Sequence, residues 1–328
     1  MPEIKNRSEI LFLYDTTDMN PNGDPVDENK PRIDEETGIN IVTDVRIKRS
    51  IRDYLYEYKK QEIFVRGDKN TDGTVKTKDD RSKEFNNNKE EIINKCIDIR
   101  LFGATIAISS KKEKKNLLNN DEEENNSNNN EEGKKVITLT GPVQFKYGRS
   151  MHKVDITYIK GTTVFPSKQN KSQGTFTEKY ILPYSLIAVY GIVNENAARN
   201  QNINLTEEDI SLLLEGLWNG TKNLITTSKF GQIPRFLIQI KYKENSNFYL
   251  GELDKRIKLN TYIEDKQIRK ISDVKIDITD LIDSINKYKD KIDSISIKFD
   301  DWINFVYKQN SVQIAEILKD FNLGYLNF

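Results

Sequence analysis

The chain has one cysteine and one histidine among 328 residues. Cys96 alone builds neither a disulfide framework nor a thiolate zinc site within one chain, and this fits a reducing cytoplasm. His152 by itself makes no metal site. No apolar run is long enough to span a bilayer, and the N-terminus lacks the basic-then-apolar layout of a secretory signal. A GxxxxGK[ST] loop is absent, so phosphate-loop NTP hydrolysis is unsupported. An excess of charge of either sign is missing too, because 51 Lys and Arg balance 51 Asp and Glu. Neutrality argues mildly against a polyanionic ligand until the charges are located.

They are segregated. Residues 119–132 (NNDEEENNSNNNEE) carry six acids and no base, a composition expected to remain a disordered loop. From Asn219 to Lys243 stand Lys222, Lys229, Arg235, Lys241 and Lys243, with no acid among them. Between Gly141 and Gly191 two apolar runs hold out an arm with Lys146, Arg149, Lys153, Lys160, Lys168, Lys171 and Lys179, opposed only by Asp155 and Glu178. Tyr147, Tyr158, Phe165 and Phe176 are interleaved with these cations. Clustered cations with aromatics suit a polyanion whose bases can stack. The pattern points to nucleic acid.

The run SEILFLYD at 8–15 reads as a buried central strand, followed by a turn-rich loop, DMNPNGDPVDENKPRIDEETG. From Thr43, a plausible N-cap, the period turns helical, with Ile47, Ile51, Tyr54, Leu55 and Tyr58 on one face. Lys48, Arg49 and Arg52 fall on an adjacent arc beside Tyr56. The plain reading of that arc is a solvated face with an Arg49–Asp53 pair at i,i+4. Lys48 and Arg52 have no acid four residues on, which leaves them free for phosphate. A short helix is expected around KEEIINKC, strands at CIDIRLFGATIAI and VITLTGPVQF, and a helix capped by the TEED box from Thr206. FLIQIKY is the next strand; helix at 278–291, strand at SISIKFD and a final helix near 312–321 complete the chain. The order β-α-β-β…α-β is that of a ferredoxin-like α+β core with large insertions.

Catalytic constellations are weak. Asp15, Asp18 and Asp24 lie close in sequence and have the chemistry to hold a divalent cation, but Asp beside Asn, Pro and Gly is ordinary turn chemistry. Cys96, among Ile92, Ile93 and Ile97, reads as a small core residue. No nucleophile, base and orienting group assemble, so no catalytic residue, metal or cofactor is assigned. Two other readings remain at this point: a ferredoxin-like endoribonuclease processing RNA with His152 as general acid/base, and a generic single-stranded RNA-binding module.

Seven motifs carry a more specific resemblance: NPNGDP at 20–25, KPRIDEETG at 30–38, VTDVRIKRSIRDYL at 42–55, DIRLFGA at 98–104, TGPVQFKYGRS at 140–150, QGTFTEKYILPY at 173–184 and WNGTKNLITTSKFGQIPR at 218–235. Together they resemble the repeated backbone subunit of type I CRISPR Cascade complexes, most closely the I-B branch, over roughly residues 8–243. The tail from about 250 and the Asn/Glu loop show no such motif.

That resemblance implies a modified RNA-recognition (RRM) fold shaped like a hand, a single palm over 1–328 with insertions. Residues 61–135, with their disordered loop at 111–135, would be finger-like, 152–180 a thumb-like arm, and 250–328 a C-terminal extension of the palm. It implies a non-catalytic guide-RNA-binding (crRNA) protein whose copies stack into a helical filament and present the spacer to target DNA. Other Cascade subunits and a recruited helicase-nuclease would be the further partners. Carried onto this sequence, Arg46, Lys48, Arg49 and Arg52 would contact guide phosphates from the palm. Phe165, Phe176 and Met151 are candidate wedges against the bases. Asn22, Gln144, Lys146, Arg149, His152, Lys168, Lys171 and Lys229 complete the expected RNA-contact set. Type III relatives cut RNA with a loop aspartate. Asp24 and Asp34 lie in the corresponding loop here, but type I backbones are binding subunits. Holding the guide by phosphates leaves base edges free to pair.

Overall fold

A strand with apolar residues on both pleat faces needs cover on both sides, and SEILFLYD sets that requirement for the whole molecule. In the computed structural model, which describes residues 3–109, 134–162 and 176–328, it lies inside a sheet of ten strands. In chain order these are β1 (Ser8–Met19), β2 (Ile33–Asp34), β3 (Ile39–Val42), β4 (Val143–Phe145), β5 (Gly148–Lys153), β6 (Thr157–Thr162), β7 (Phe176–Val193), β8 (Ile233–Tyr242), β9 (Ile292–Phe299) and β10 (Leu323–Tyr325). Across the sheet they run β10-β9-β8-β1-β7-β5-β3-β2, with β4 and β6 on other stretches of β7. β1 is antiparallel to β7 from Ser8↔Val193 to Met19↔Leu182, and to β8 from Ser8↔Lys241 to Asp15↔Ile233.

Two helices follow the strands on one face, α1 (Asp44–Glu57) after β3 and α2 (Glu207–Lys222) after β7. Thr43 caps α1 by accepting from Arg46 N at 3.3 Å, and Thr206 with Asp209 forms a reciprocal capping box on α2. Ile10, Phe12 and Tyr14 meet Ile47, Ile51, Leu55, Leu213 and Leu217 on that side. The helices touch closely, since a Cβ on Gly220 would lie 2.6 Å from the Ser50 carbonyl oxygen. Leu11 and Leu13 face the other way, in one core cluster with Ile276 and Leu281. Residues from 250 onward provide this second cover. They contain a four-stranded sheet (Lys258–Asn260, Lys275–Asp277, Phe305–Tyr307, Asn310–Val312) and helix α3 (Thr279–Lys287).

A buried carboxylate fastens that cover to the centre of the sheet. Glu9 accepts from the Tyr190 and Tyr242 hydroxyls and, at 2.8 Å each, from the backbone N–H groups of Leu250 and Gly251. Four donors on one carboxylate satisfy its charge without water.

Three expectations need correction. Ile97–Phe102 is a helix, not the start of a strand; the strand begins only at Gly103. The helical turn takes Asp98 inside, and Gly103 at φ +67° redirects the chain. VITLTGPVQF forms two strands, Lys134–Thr140 and β4, because Gly141 crosses Phe102–Gly103 too closely for any side chain. The expected last helix is a single turn, Ile314–Ile317, and the chain then returns to the sheet as β10. Among the described residues no helix is long and apolar enough to cross a membrane.

Candidate nucleic-acid interface

Two of the expected contact residues, Arg46 and Lys229, converge near the N-terminal end of α1. Arg46 donates to Ser50 Oγ at 2.9 Å, and Lys229 to Ser228 Oγ at 3.1 Å. Among the described residues neither has a carboxylate within ion-pair distance. Burial pulls the Arg46 guanidinium below its ordinary pKa, and the positive Arg49 adds to this while Asp53 opposes it. Burial likewise lowers the Lys229 ammonium, and the charge of Arg46 lowers it further. A partly buried ammonium lowered by a neighbouring guanidinium, itself lowered by burial, is a site in want of an anion.

Polar groups around them are unfinished as well. Arg46 Nε, Asn20 Oδ1 and Gln232 Nε2 are buried without a hydrogen-bond partner. Asn20 belongs to the same neighbourhood, because its N–H donates to the Ser228 carbonyl at 2.9 Å. Asn22 has a structural task here: its Oδ1 accepts from Thr43 N at 2.8 Å and Thr43 Oγ1 at 2.9 Å, holding the cap of α1.

The other helix cations are less free than their spacing suggested. Lys48 is paired with Asp44, four residues before it rather than after, at 3.1 Å, and also donates to Gln144 Oε1 at 3.2 Å. Arg52 is buried, its Nε 2.9 Å from Asp98, a fully buried carboxylate that also accepts from Phe64 N and Val65 N. The expectation that Lys48 and Arg52 lack acidic partners is therefore corrected, and Arg52 is a core residue. Arg49 is exposed and paired with Asp53 at 2.6 Å, the plain reading.

His152 also belongs to the core. It is 2% exposed and stacked on Tyr184; Nδ1 lies 3.0 Å from the Lys153 carbonyl and Nε2 accepts from Leu186 N at 3.3 Å. Burial lowers its pKa. Both ring nitrogens face protein, which leaves no proton to exchange with a substrate. Met151 is half-buried against the second core cluster. Asp15 accepts from Tyr184 and Arg235, Asp24 from Arg32, and Asp34 from Arg149. Among the described residues no group of three acids, histidines or cysteines converges to hold a metal.

Along β5 and the turn before it the cations are exposed and loosely held. Lys146 sits 3.4 Å from Glu252 and over the Tyr190 ring, and Arg149 lies 3.3 Å from Asp34. Exposed pairs of this kind contribute about 0–1 kcal/mol, so a phosphate can displace the carboxylate. Beyond β5, β6 and the start of β7 run out as a two-stranded ribbon, paired from Thr157↔Ile181 to Thr162↔Phe176. Phe176 is 62% exposed with Lys160 4.4 Å over its ring. Phe165, Lys168 and Lys171 lie outside the described residues, as does the acidic loop at 119–132.

Sequence reasoning missed the brace at the root of this ribbon. Tyr180 OH donates to Glu28 at 2.7 Å, and Lys30 stands 5.3 Å over the Tyr180 ring. No local signal announces a contact between positions 152 apart. Asp98 was missed likewise, since its partner Arg52 is 46 residues upstream.

Residues 6–279 match the family model described as CRISPR-associated protein Cas7. A CRISPR-associated protein Cas7 from Haloferax volcanii is 30% identical over 309 residues, covering 89% of this chain and 86% of that protein. Among solved structures, a chain of a CRISPR RNA-guided surveillance complex aligns with a TM-score of 0.48 and 12% identity, covering 96% of this chain and 100% of that one. A chain of such a complex described as pre-nicking aligns with a TM-score of 0.48 at 10% identity, covering 96% of this chain and 98% of that one.

Proposed function

This chain belongs to the CRISPR-associated Cas7 family, and from that premise we propose that it is a non-catalytic guide-RNA-binding subunit whose copies form the helical backbone of a type I, I-B-like surveillance complex. The observation that carries RNA binding is the Arg46–Lys229 site, a partly dry pair of cations with no carboxylate paired to them among the described residues and with unpaired polar atoms beside them. A phosphate there would complete both charges. Lys48 with Gln144, and Lys146 with Arg149, extend the cationic groups along β4 and β5.

The strand order β8-β1-β7-β5 with α1 and α2 on one face supports reading the frame as an RRM-like palm. We read the β6–β7 ribbon as the thumb, residues 61–135 as fingers and residues from 250 as an extension of the palm. In this palm the sheet face opposite the helices is closed by that extension, so the guide runs along the helix end and the exposed cations of β4 and β5 rather than across the open sheet. Phosphate contacts leave the spacer bases open to target DNA, and further Cascade subunits with a recruited helicase-nuclease act on the result. The non-catalytic reading is supported by the engaged nitrogens of His152 and the arginine partners of Asp24 and Asp34.

Single-stranded RNA binding across a salt series tests the palm site. Each phosphate neutralised adds about −0.7 to the slope of log affinity on log salt, so losing the one phosphate that Arg46 and Lys229 share, in Arg46→Ala/Lys229→Ala, is expected to flatten it by roughly 0.7. Different RNA sequences should weaken alike. An unchanged slope with a normal circular dichroism spectrum would move the RNA elsewhere.

A further inference from the structure

On the helix-covered side, the outer edge of α1 and the 64–81 segment leave a cleft of about 260 Å3. Val45, Phe64 and Val65 make its apolar lining, and Arg49, Arg66 and Lys78 stand on its rim. Val45 is largely exposed. Arg49 and Arg66 are held by Asp53 and Asp68, but Lys78 reaches only the Thr105 carbonyl, at 3.4 Å. Among the described residues it has no acidic partner.

The opposite side of the sheet carries a matching projection. In the loop 261–264, Tyr262 is fully exposed, Ile263 is exposed, and Glu264 is exposed with no ion pair among the described residues. The loop is ordered by its own bonds: Thr261 Oγ1 donates to the Asp273 carbonyl at 2.9 Å and accepts from Ile263 N at 3.1 Å. Lys153 N donates to Asp265 at 3.0 Å and pins the far end. A tyrosine and an isoleucine held out on a rigid loop are anchors of the kind that dominate interfaces, already ordered before binding.

We propose that Tyr262, Ile263 and Glu264 of one copy seat in the Val45–Phe64–Val65 cleft of the next, with Glu264 meeting Lys78. The proposal rests on the self-assembly of the preceding section and names its contact surface. Apolar groups meet apolar lining, and the one free carboxylate of the knob meets the free ammonium of the cleft. Knob and cleft lie on opposite faces of the sheet, so the contact is heterologous and repeats in one direction, as an open helix requires.

Cys96 is fully buried, so introduced thiols can be read without background from the native chain. Val45→Cys/Ile263→Cys, assembled on poly(U) and treated with a short bis-maleimide, should give a ladder of dimers, trimers and longer chains. A mixture of the two single variants should stop at dimers. Sedimentation on poly(U) separates the two levels of the argument. Assemblies that form without the ladder, or a Val45→Cys variant that cross-links to itself, would overturn this surface and leave self-assembly standing. A chain that stays monomeric on the RNA would overturn both.

Discussion

Two arginines on one helix show how burial sets the worth of a charge. Arg52 and Arg49 stand three positions apart on α1, yet Arg52 faces a fully buried Asp98 while Arg49 and Asp53 are solvated. Asp98→Ala is expected to cost about 3–5 kcal/mol in urea unfolding, because it strands a buried guanidinium and two backbone donors. Arg49→Ala should cost about 0.5 kcal/mol or less. Similar losses for both would refute the division of roles. His152 gives a residue-scale test by pH. Its folded pKa lies below the unfolded value near 6.5, so the buried neutral ring contributes stability in full above that value, and acid removes it as the unfolded chain takes up the proton. The slope from this one group is at most about 1.4 kcal/mol per pH unit. His152→Gln should therefore lose less stability than the wild type between pH 7.5 and pH 5. Parallel curves would show that the histidine ionises equally in both states.

At the scale of elements, caps and apolar faces were legible because they are local. Thr43, Thr206 and the Ile47–Ile51–Leu55 stripe predict α1 and α2 from a few neighbouring residues. Ile97–Phe102 was not legible, since Ile97, Ile99 and Leu101 alternate like a strand and only the distant Arg52 explains why Asp98 turns inward. The same limit hid Tyr180, whose partners Glu28 and Lys30 sit in another hairpin. The cationic arm was readable from composition, and its root is the β6–β7 ribbon. Phe176 at the described end of that ribbon is exposed, so Phe176→Ala should leave the melting temperature unchanged. If the ring stacks on a base, the substitution should weaken single-stranded RNA binding by about 1–3 kcal/mol. Unchanged affinity would remove Phe176 from the interface.

For the whole molecule, the apolar run of β1 announced a strand buried on both faces, but nothing local said that the second cover comes from residues past 250. That assignment depends on Glu9, one charged position inside an apolar strand, whose four donors lie in β7, in β8 and at the head of the extension. Glu9→Gln keeps the shape and replaces one acceptor oxygen by an NH2 group, so at least one buried donor loses its partner, at about 1–3 kcal/mol. The loss should be local to the sheet face that the extension covers. Hydrogen exchange is expected to quicken at Leu250 and Gly251 and through the strands and helix of the extension, while Ile51 and Leu55 in α1 keep their protection. Exchange that rises equally in α1 would mean that Glu9 stabilises the sheet as a whole rather than the cover. Unaltered exchange at Leu250 and Gly251 would mean that the extension is held by its apolar contacts alone, Leu253, Ile276 and Leu281 against Leu11 and Leu13.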